Sequence, residues 1–236
     1  SDTETDVPDI LTAIWEALPF MLSGAWVNAV LIVGAMLVGL MLGVPLAVGQ
    51  VYGGPVVRRV VQAYVWAFRG VPILVQLYLF YFGILAWLSN IPWLAWAPFE
   101  TPLLAAVLVL GLTSAAYQSQ IFRGAILSLP AGQFKAARAL GMSDFTAVST
   151  IILPQALRLS IPGWSNEYSI LLKDSALAFS VGVMEVMSRT RAVASTTHQP
   201  LPLSILAGVI FFALTWVGVK ALLALEKKVR IPGYSL

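Results

Sequence analysis

Long apolar segments alternate with short polar ones along the chain. Four segments contain no charged residue: they run between Glu16 and Arg58, between Arg69 and Glu100, between Glu100 and Arg123, and between Arg191 and Lys220. Since about 20 apolar residues cross a bilayer as a helix, each of these segments predicts at least one crossing. One more apolar segment, from about residue 155 to 184, is interrupted by Glu167, Lys173 and Asp174.

The sequence therefore predicts an all-α integral membrane fold with five transmembrane helices. Their approximate bounds are 21–50, 60–88, 101–128, 155–184 and 203–228. Glycines at positions 34, 39 and 43 of the first helix predict close packing against a neighbouring helix. A hinge near residues 43–45 is the alternative interpretation of this glycine pattern.

Composition and charge agree with this fold and predict its orientation. Hydrophobic residues make up 59% of the chain and charged residues 11%, whereas soluble proteins are about half apolar and a quarter charged. With five crossings, the Lys and Arg clusters at 58–59, 135–138 and 227–230 fall on one side, which the positive-inside rule makes cytoplasmic. Residues 1–236 then form one domain with a cytoplasmic C-terminus and the N-terminus outside. Residues 1–20 are predicted to be a polar periplasmic tail, or alternatively to include an interfacial helix around 10–20.

Several classes of chemistry lack the residues they need. Without a G-x-x-x-x-G-K-[ST] phosphate loop, any use of ATP is expected to come from a partner. The chain has no cysteine and one histidine, His198, so no metal site is expected. Asp174 is the single aspartate deep in a predicted helix, whereas intramembrane aspartyl catalysis uses a pair. An enzyme is therefore not expected, and a net charge of +3 does not favour a nucleic-acid partner.

A polar segment, residues 129–154, interrupts the apolar pattern. Small residues let its first helix approach another surface closely, and Gly141 predicts the end of that helix. Ser143 can cap the helix that follows, and Pro154 is predicted to end or kink it. These features by themselves suit an ordinary loop as well as a docking surface.

The same segment resembles the E-A-A-x-x-x-G-x(9)-I-x-L-P coupling loop of ABC importer permeases. The matching residues are Ala136, Ala137, Gly141, Ile151, Leu153 and Pro154. Lys135 stands where the family has glutamate, which changes the charge of the helix but not its expected shape. The resemblance implies that an ATPase subunit docks on Lys135, Ala136, Ala137, Gly141, Leu153 and Pro154.

Three further motifs resemble those of polar amino-acid permeases of the histidine, glutamine and arginine type. They are residues 68–76 (FRGVPILVQ), 116–124 (AYQSQIFRG), and 166–168 (NEY) with 172–175 (LKDS). The resemblance implies a permease subunit in a bacterial inner membrane, without a catalytic residue or cofactor of its own, that imports a polar or charged amino acid. It implies as partners two copies of an ATPase subunit that binds ATP and Mg, a second identical or related permease subunit, a periplasmic binding protein and membrane lipid.

Two carboxylates of the predicted fourth helix, Glu167 and Asp174, lie seven residues apart. In a helix they share one face within about 20° and stand about 10.5 Å apart along the axis, so both are expected to project into one cavity. There they can hold the positive groups of a substrate; an internal ion pair of Glu167 with an arginine is the alternative. Lys173 points away from this face, toward either the substrate's carboxylate or a protein partner. We include Ser175 of the same motif in the predicted substrate site.

The third helix carries a second group of polar candidates. Tyr117, Gln120 and Arg123 follow at three-residue steps and so lie on one side, with Gln118 turned away. Arg123 can bind a carboxylate bidentately or extend to the membrane interface. Gln120 stands where the family often has glutamate, which predicts a weaker preference for strongly cationic amino acids.

On the second helix, Arg69 and Gln76 lie seven residues apart and are predicted to share one face. They either line the pathway or bond to neighbouring helices, and Gln76 is included in the predicted substrate site. A function of another class also fits the carboxylates: a stand-alone cation channel or ion-coupled carrier that uses Glu167 and Asp174 as a cation path.

Overall fold

The computed structural model describes residues 7–94 and 96–229. Within these residues the chain is helical and forms no strand. The helices are α1 (Val7–Tyr52), α2 (Pro55–Gly70), α3 (Ile73–Ser89), α4 (Pro102–Ser128), α5 (Ala131–Ala139), α6 (Asp144–Ala147), α7 (Leu153–Leu159), α8 (Ile161–Ser175), α9 (Val186–Thr197) and α10 (Pro200–Val229). Wider π-type turns occur at Leu79–Leu85 and Val148–Ile152, and 3-10 turns at Pro92–Leu94 and Ala176–Val181.

Three helices of the described residues are long and apolar enough to cross a membrane. They are Thr12–Tyr52 within α1, Pro102–Ser128 and Pro200–Val229. The consecutive helices α2 and α3 would make a fourth crossing if they form one broken span. The all-helical membrane fold predicted from the sequence is thus confirmed, with three or four candidate crossings.

The prediction of one continuous second helix over residues 60–88 is wrong. The helix is broken at Val71, whose backbone is extended (φ −99°, ψ 131°), and α3 begins directly after Pro72. Proline has no N–H to donate and disfavours the helical conformation of the residue before it. The break therefore follows from the local sequence Val71-Pro72.

The predicted fourth helix is also divided. Residues 155–184 contain most of α7, all of α8 and the 3-10 turns Ala176–Val181. Its charged residues make this stretch less apolar than the three long helices. At the other end of the chain, α1 begins at Val7, so residues 7–20, predicted as a polar tail, are helical; residues 1–6 lie outside the described residues.

The chain divides into two compact units. Among the described residues, the first consists of residues 7–35, 72–94, 96–110 and 170–217, and the second of residues 36–71, 111–169 and 218–229. The first unit has a buried apolar cluster of Ala17, Met21, Val186, Leu203, Ala207 and Ile210. The second has a buried apolar cluster of Ala47, Phe122, Ala125, Ile126, Leu129, Ile152 and Ala156. Burial of these side chains fixes the helices that carry the polar residues described below.

Glycines of α1 permit close helix packing, as the sequence predicts. In the first unit, a Cβ atom on Gly34 would lie 2.9 Å from Cγ1 of Val107. In the second unit, a Cβ atom on Gly39 would collide with the side-chain amide of Gln118, and one on Gly43 would lie 3.0 Å from Cβ of Gln118. The absence of these side chains lets α1 approach α4 within each unit.

Candidate functional site

A polar cavity of about 690 Å³ opens within the second unit. Its polar lining comes mainly from α2 and α4, as Arg58, Gln62, Arg69, Tyr117, Gln120 and Arg123. Gln50 of α1 and the apolar side chains of Val65 and Trp66 complete the wall. A concave site with a few convergent polar groups is the usual form of a small-molecule site.

The predicted placement of three polar residues on one side of the third helix is confirmed at this cavity, while their contact with a substrate stays a prediction. Tyr117, Gln120 and Arg123 all line it, because their three-residue spacing places them on one side of α4. Gln118 is fully buried away from it, as expected. The structure adds Arg69 to the same cavity, since its guanidinium carbon lies 4.8 Å from the centre of the Tyr117 ring.

Side-chain contacts hold the polar groups of the cavity in place. Nε2 of Gln120 donates a hydrogen bond to Oε1 of Gln50 over 3.0 Å. Nη2 of Arg58 donates to the carbonyl oxygen of Val51 over 3.0 Å, near the C-terminal end of α1. Arg69 packs against Tyr117 through a cation–π contact. The cavity therefore presents a positioned set of guanidinium and amide groups.

Glu167 lies in a buried polar network of the second unit. Its side chain is 3% exposed, and its Oε1 accepts a hydrogen bond of 2.7 Å from Oγ of Ser114. Nε2 of Gln118 donates to the same Ser114 Oγ over 3.0 Å and to the carbonyl of Met36 over 3.2 Å. Nε1 of Trp164 donates to Oε1 of Gln118 over 2.7 Å. A carboxylate at membrane depth is expensive unless it is hydrogen-bonded, and this network supplies bonded partners.

The first unit contains a second buried polar cluster that joins distant parts of the chain. Nδ2 of Asn28 lies 2.9 Å from Oγ of Ser175 and 3.3 Å from Oε2 of Glu185, and donates to both. Oδ1 of Asn28 accepts from the backbone N–H of Val186 over 3.1 Å. The side chain of Ser175, predicted for the substrate site, is thus fully buried and bonded to protein atoms. Its predicted substrate role stays a prediction.

Glu185 caps the N-terminus of α9. Its two carboxylate oxygens accept hydrogen bonds from the backbone N–H groups of Met187 (2.8 Å) and Ser188 (2.7 Å). Burial raises the pKa of the Glu185 carboxyl above its ordinary value. The two N–H groups and the Asn28 amide lower the pKa and offset part of this rise. A carboxylate at this position satisfies the unpaired donors of the first helical turn and interacts favourably with the helix dipole.

The remaining predicted site residues of the first unit lie in different surroundings. Lys173 lines a cavity of about 440 Å³ together with Arg191 and Phe179, whose ring centre lies 3.8 Å from the guanidinium carbon of Arg191. Asp174 is half-buried, and Gln76 is buried, 4% exposed. The prediction that Gln76 shares a helix face with Arg69 is wrong, because the break at Val71 separates α2 from α3.

In the polar segment of residues 129–154, which belongs to the second unit, the predicted helix end at Gly141 and helix cap at Ser143 are confirmed. Helix α5 ends at Ala139, and Gly141, two residues later, has a positive φ of 83°. The N–H of Met142 donates to the carbonyl of Ala137 over 3.1 Å, and the N–H of Gly141 to the carbonyl of Arg138 over 3.0 Å. This pair of bonds is the Schellman motif, in which a left-handed glycine closes the helix. Ser143 then caps α6, since its Oγ accepts from the N–H of Thr146 over 3.1 Å.

Of the two predicted effects of Pro154, an end of the helix does not occur, because helical turns continue on both sides of it. This proline occupies the first turn of α7, directly after the π-type turns Val148–Ile152. Proline is tolerated in a first helical turn, where an N–H has no helical acceptor, and the wider turns accommodate its missing donor. The side chain of Leu153 is half-buried, so this end of the segment is anchored to the second unit.

The segment exposes large apolar side chains beside its helix end. Leu140 is 84% exposed and Phe145 is 82% exposed. Lys135 and Ala136 are also exposed, whereas Ala137 is buried.

Arg138 bridges the turn through an ion pair with Asp144 (Nε to Oδ1, 3.0 Å) and a hydrogen bond to the carbonyl of Met142. The turn is therefore fixed while its apolar side chains remain accessible.

Sequence reasoning missed the role of Asn28, Ser114 and Glu185. Asn28 is a polar residue within an apolar segment, which was a signal of a buried hydrogen bond. Nothing local indicated its partners Ser175 and Glu185, which lie 147 and 157 residues away.

His198, the single histidine, is exposed at the end of α9 with a φ of 56°. Among the residues that the structure describes, no group of three or more His, Asp or Glu could hold a metal ion.

Comparison with known proteins places the chain among transport proteins. Residues 35–231 match the family described as binding-protein-dependent transport system inner membrane component. The nopaline transport system permease protein NocM of Agrobacterium fabrum is 34% identical over 207 residues, 86% of this chain and 85% of that protein. The histidine/lysine/arginine/ornithine transport system permease protein HisM of Salmonella typhimurium is 35% identical over 215 residues, 89% of this chain and 91% of that protein.

Solved structures resemble the fold as well. A crystal structure of an amino acid ABC transporter with histidines superposes with a TM-score of 0.77 at 28% identity, over 92% of this chain and 97% of that one. The MetNI methionine ABC transporter in an inward-facing form gives a TM-score of 0.66 at 20% identity, over 98% of this chain and 100% of that one. The second likeness concerns the fold alone.

Proposed function

The chain belongs to the family of binding-protein-dependent transport system inner membrane components, and from this premise we propose that it is the permease subunit of an ATP-binding-cassette importer for a polar or charged amino acid. The observation that carries the proposal is the polar cavity of the second unit, in a chain whose long helices are apolar. A polar solute crosses a membrane only where the protein replaces its hydration by polar groups. The names of the similar permeases favour an amino acid or its derivative as that solute.

We propose five membrane crossings, with the α7–α8 region as the fourth. The three long apolar helices and the broken pair α2 and α3 would supply the other four. This arrangement would put the N-terminus outside and the C-terminus in the cytoplasm, with the basic clusters inward. Trp87, Trp93 and Trp96, which are 66–82% exposed, suit an aromatic belt at the outer interface. The host membrane would be a bacterial inner membrane.

The substrate contacts are proposed separately for each unit. In the second unit, Arg123, Gln120 and Tyr117 would bind polar groups of the substrate from the polar cavity, and Glu167 would serve its ammonium group when the buried network opens. In the first unit, Asp174, Lys173, Ser175 and Gln76 remain proposed contacts. The buried positions of Glu167, Ser175 and Gln76 mean that their contact with substrate would require a conformational change, which alternating access provides.

The segment of α5 and α6 is the proposed docking surface for a separate ATPase subunit. Exposed Leu140 and Phe145 offer apolar contacts of the kind that mark protein interfaces. The Schellman turn at Gly141 and the ion pair of Arg138 with Asp144 hold these side chains in a fixed position. The contacts of Phe134 with Tyr52 (ring centres 5.1 Å apart) and of Gln133 with Gln155 would transmit a displacement of this segment to α1 and α7.

The proposed assembly contains two ATPase subunits that bind ATP and Mg, a second permease subunit and a periplasmic binding protein. A second permease subunit, identical or related, would close the open side of the polar cavity. Energy from ATP would then switch the pathway between the two membrane faces. The chain itself would carry no catalytic residue.

Reconstitution tests this function against a cation channel or ion-coupled carrier. The complete transporter, purified with its neighbouring subunits, is placed in proteoliposomes with the binding protein outside and ATP inside. We expect uptake of a labelled amino acid that stops when ATP is replaced by a non-hydrolysable analogue. Uptake that persists without hydrolysis and follows an ion gradient would contradict the proposal and favour the carrier. Copurification of an ATPase that is lost on changing Phe145 tests the docking surface.

A further inference from the structure

Three guanidinium groups face the polar cavity, from Arg58, Arg69 and Arg123. Among the cavity-lining residues that the structure describes there is no Asp or Glu. Like charges that share a cavity repel one another and disfavour a further cation, whereas an anion relieves the repulsion. The charge of the lining therefore selects against a cationic ligand side chain.

The contacts that hold two of these guanidinium groups come, within the described part of the chain, from groups without a negative charge. Arg58 donates one hydrogen bond to the carbonyl of Val51, and Arg69 uses the flat face of its guanidinium on Tyr117. A guanidinium has five N–H donors along its edge, so a single bond or a stacked face leaves most of them for a ligand. Arg123 is exposed on the cavity side of α4.

The uncharged part of the lining does not offer a site for a second positive group. Gln120 donates its amide to Gln50, and Gln62 is exposed; amide oxygens can accept from one ammonium group but carry no net charge. A cationic side chain in addition to the α-ammonium group would meet three guanidinium groups without a carboxylate. An acidic side chain would instead meet unused donors.

We infer that the substrate of the polar cavity is an amino acid or amino-acid derivative with at least two carboxylates. One carboxylate occupies one guanidinium fork in the bidentate geometry that arginine favours, and the second carboxylate occupies another. The volume of about 690 Å³ lies within the roughly 300–1,000 Å³ of small-molecule pockets and accommodates a ligand larger than a simple amino acid. This inference rests on the proposed import of amino acids and specifies the substrate class of the same site.

Glutamate and glutamine form an isosteric pair of probes that differ in one carboxylate. Binding of each, and of arginine as the cationic probe, is measured by calorimetry on the purified permease–ATPase complex in nanodiscs without the binding protein. We expect glutamate to bind roughly tenfold or more tightly than glutamine, as for a hydrogen bond to a charged group, and arginine to bind most weakly. Equal or tighter binding of glutamine or arginine, or no binding of glutamate, would overturn the inference.

Three variants at two cavity positions and one control assign the preference to these arginines. Arg123→Gln and Arg69→Gln should each reduce the ratio of glutamate to glutamine affinity toward one, while Arg123→Lys should retain part of it because the charge remains but the fork is lost. Arg158→Gln removes an exposed arginine of the same unit that lies outside the polar cavity, and it should leave the ratio unchanged. A ratio that survives both Arg123→Gln and Arg69→Gln would overturn the assignment. The use of two positions guards against a variant that does not fold.

Uptake by the complete transporter separates this inference from the proposed function. ATP-dependent uptake of neutral or cationic amino acids, with no advantage for an acidic one, would contradict the substrate class and leave the import function standing. No ATP-dependent uptake of any amino acid would contradict the import function itself.

Discussion

The hydroxyl of Ser114 donates a hydrogen bond of 2.7 Å to Oε1 of Glu167, and both side chains are buried. Ser114 also accepts from Gln118, whose amide reaches the backbone of α1 at Met36. The carboxylate proposed for the substrate's ammonium group is thus connected to α4 and α1 through consecutive hydrogen bonds. A change at Glu167 would therefore affect α4, which carries Tyr117, Gln120 and Arg123 of the polar cavity, and α1, which carries Gln50.

Removing the charge of Glu167 is expected to impair transport. Glu167→Gln keeps the shape of the side chain, so we expect unfolding temperature to change little while substrate affinity or rate falls roughly tenfold or more, as for loss of a charged hydrogen bond. Asp174→Asn should show a loss of the same kind. The measurement is ATP-driven uptake in proteoliposomes, with Ser114→Ala as the variant that removes a partner and retains the carboxylate. Unchanged affinity and rate in both carboxylate variants would refute their substrate role.

A methyl group at position 39 is expected to destabilise the second unit. The Cβ atom of Gly39→Ala would collide with the side-chain amide of Gln118, which is fixed by Met36, Ser114 and Trp164. Overpacking of a close contact costs about 1–3 kcal/mol, which should appear as a lower unfolding temperature in detergent. Gly124→Ala is the matched control on α4, because a Cβ atom there meets nothing within 4 Å. Equal stability of the two variants would contradict this packing.

The exposed apolar side chains of the polar segment, Leu140 and Phe145, are expected to bind the ATPase subunit. Phe145→Ala removes an 82% exposed ring. Such aromatic anchors contribute about 2 kcal/mol or more to binding, so we expect the affinity for the ATPase to fall about thirtyfold or more. Copurification and stimulation of the ATPase should fall with it, while the permease remains folded. Thr150→Ala, an exposed change in the same segment, is the control. ATPase recovery that does not differ between the two variants would place the docking surface elsewhere.

The charge at position 135 is expected to affect ATPase stimulation less than the shape of helix α5 does. Lys135 is exposed on α5, and lysine and glutamate have similar helix propensities, so Lys135→Glu should leave ATPase stimulation within about twofold. Gly141→Ala should have the larger effect, because an alanine with φ near 83° costs about 1–2 kcal/mol. Stimulation of ATP hydrolysis by substrate-loaded binding protein measures both variants. A large response to Lys135→Glu would show that the charge itself takes part in coupling.

The Asn28 amide is expected to stabilise the first unit. Asn28→Ala removes the bonds to Ser175, Glu185 and the N–H of Val186, and it leaves buried partners unsatisfied at a cost of about 1–3 kcal/mol each. We expect a clear fall in unfolding temperature. Ser23→Ala, an exposed change on the same helix, should have a smaller effect, and an Asn28→Ala protein as stable as this control would show that the cluster does not hold the unit.

Local features of the sequence predicted much of the fold. The long apolar segments gave the helices Val7–Tyr52, Pro102–Ser128 and Pro200–Val229 with ends close to the predicted ones, except where α1 extends to Val7. The three-residue steps of Tyr117, Gln120 and Arg123 put them in one cavity. Gly141 and Ser143 end one helix and begin the next as predicted. The break at Val71-Pro72 was missed, although a proline after Val71 is a local signal for it.

The sequence by itself determined that the chain is an all-helical membrane protein and where the turn at Gly141 lies. The reason is that the length of an apolar segment, its helical period and the conformation of a glycine or proline depend on neighbouring residues alone. The tertiary structure decided which polar side chains meet: Arg69 joins Tyr117 at the polar cavity, Ser114 reaches Glu167, and Asn28 joins Ser175 with Glu185. These partners lie 48 to 157 residues apart, as with Arg69 and Tyr117 or Asn28 and Glu185. Their meeting depends on which helix faces pack together, and no periodicity along one segment specifies the partner of that face.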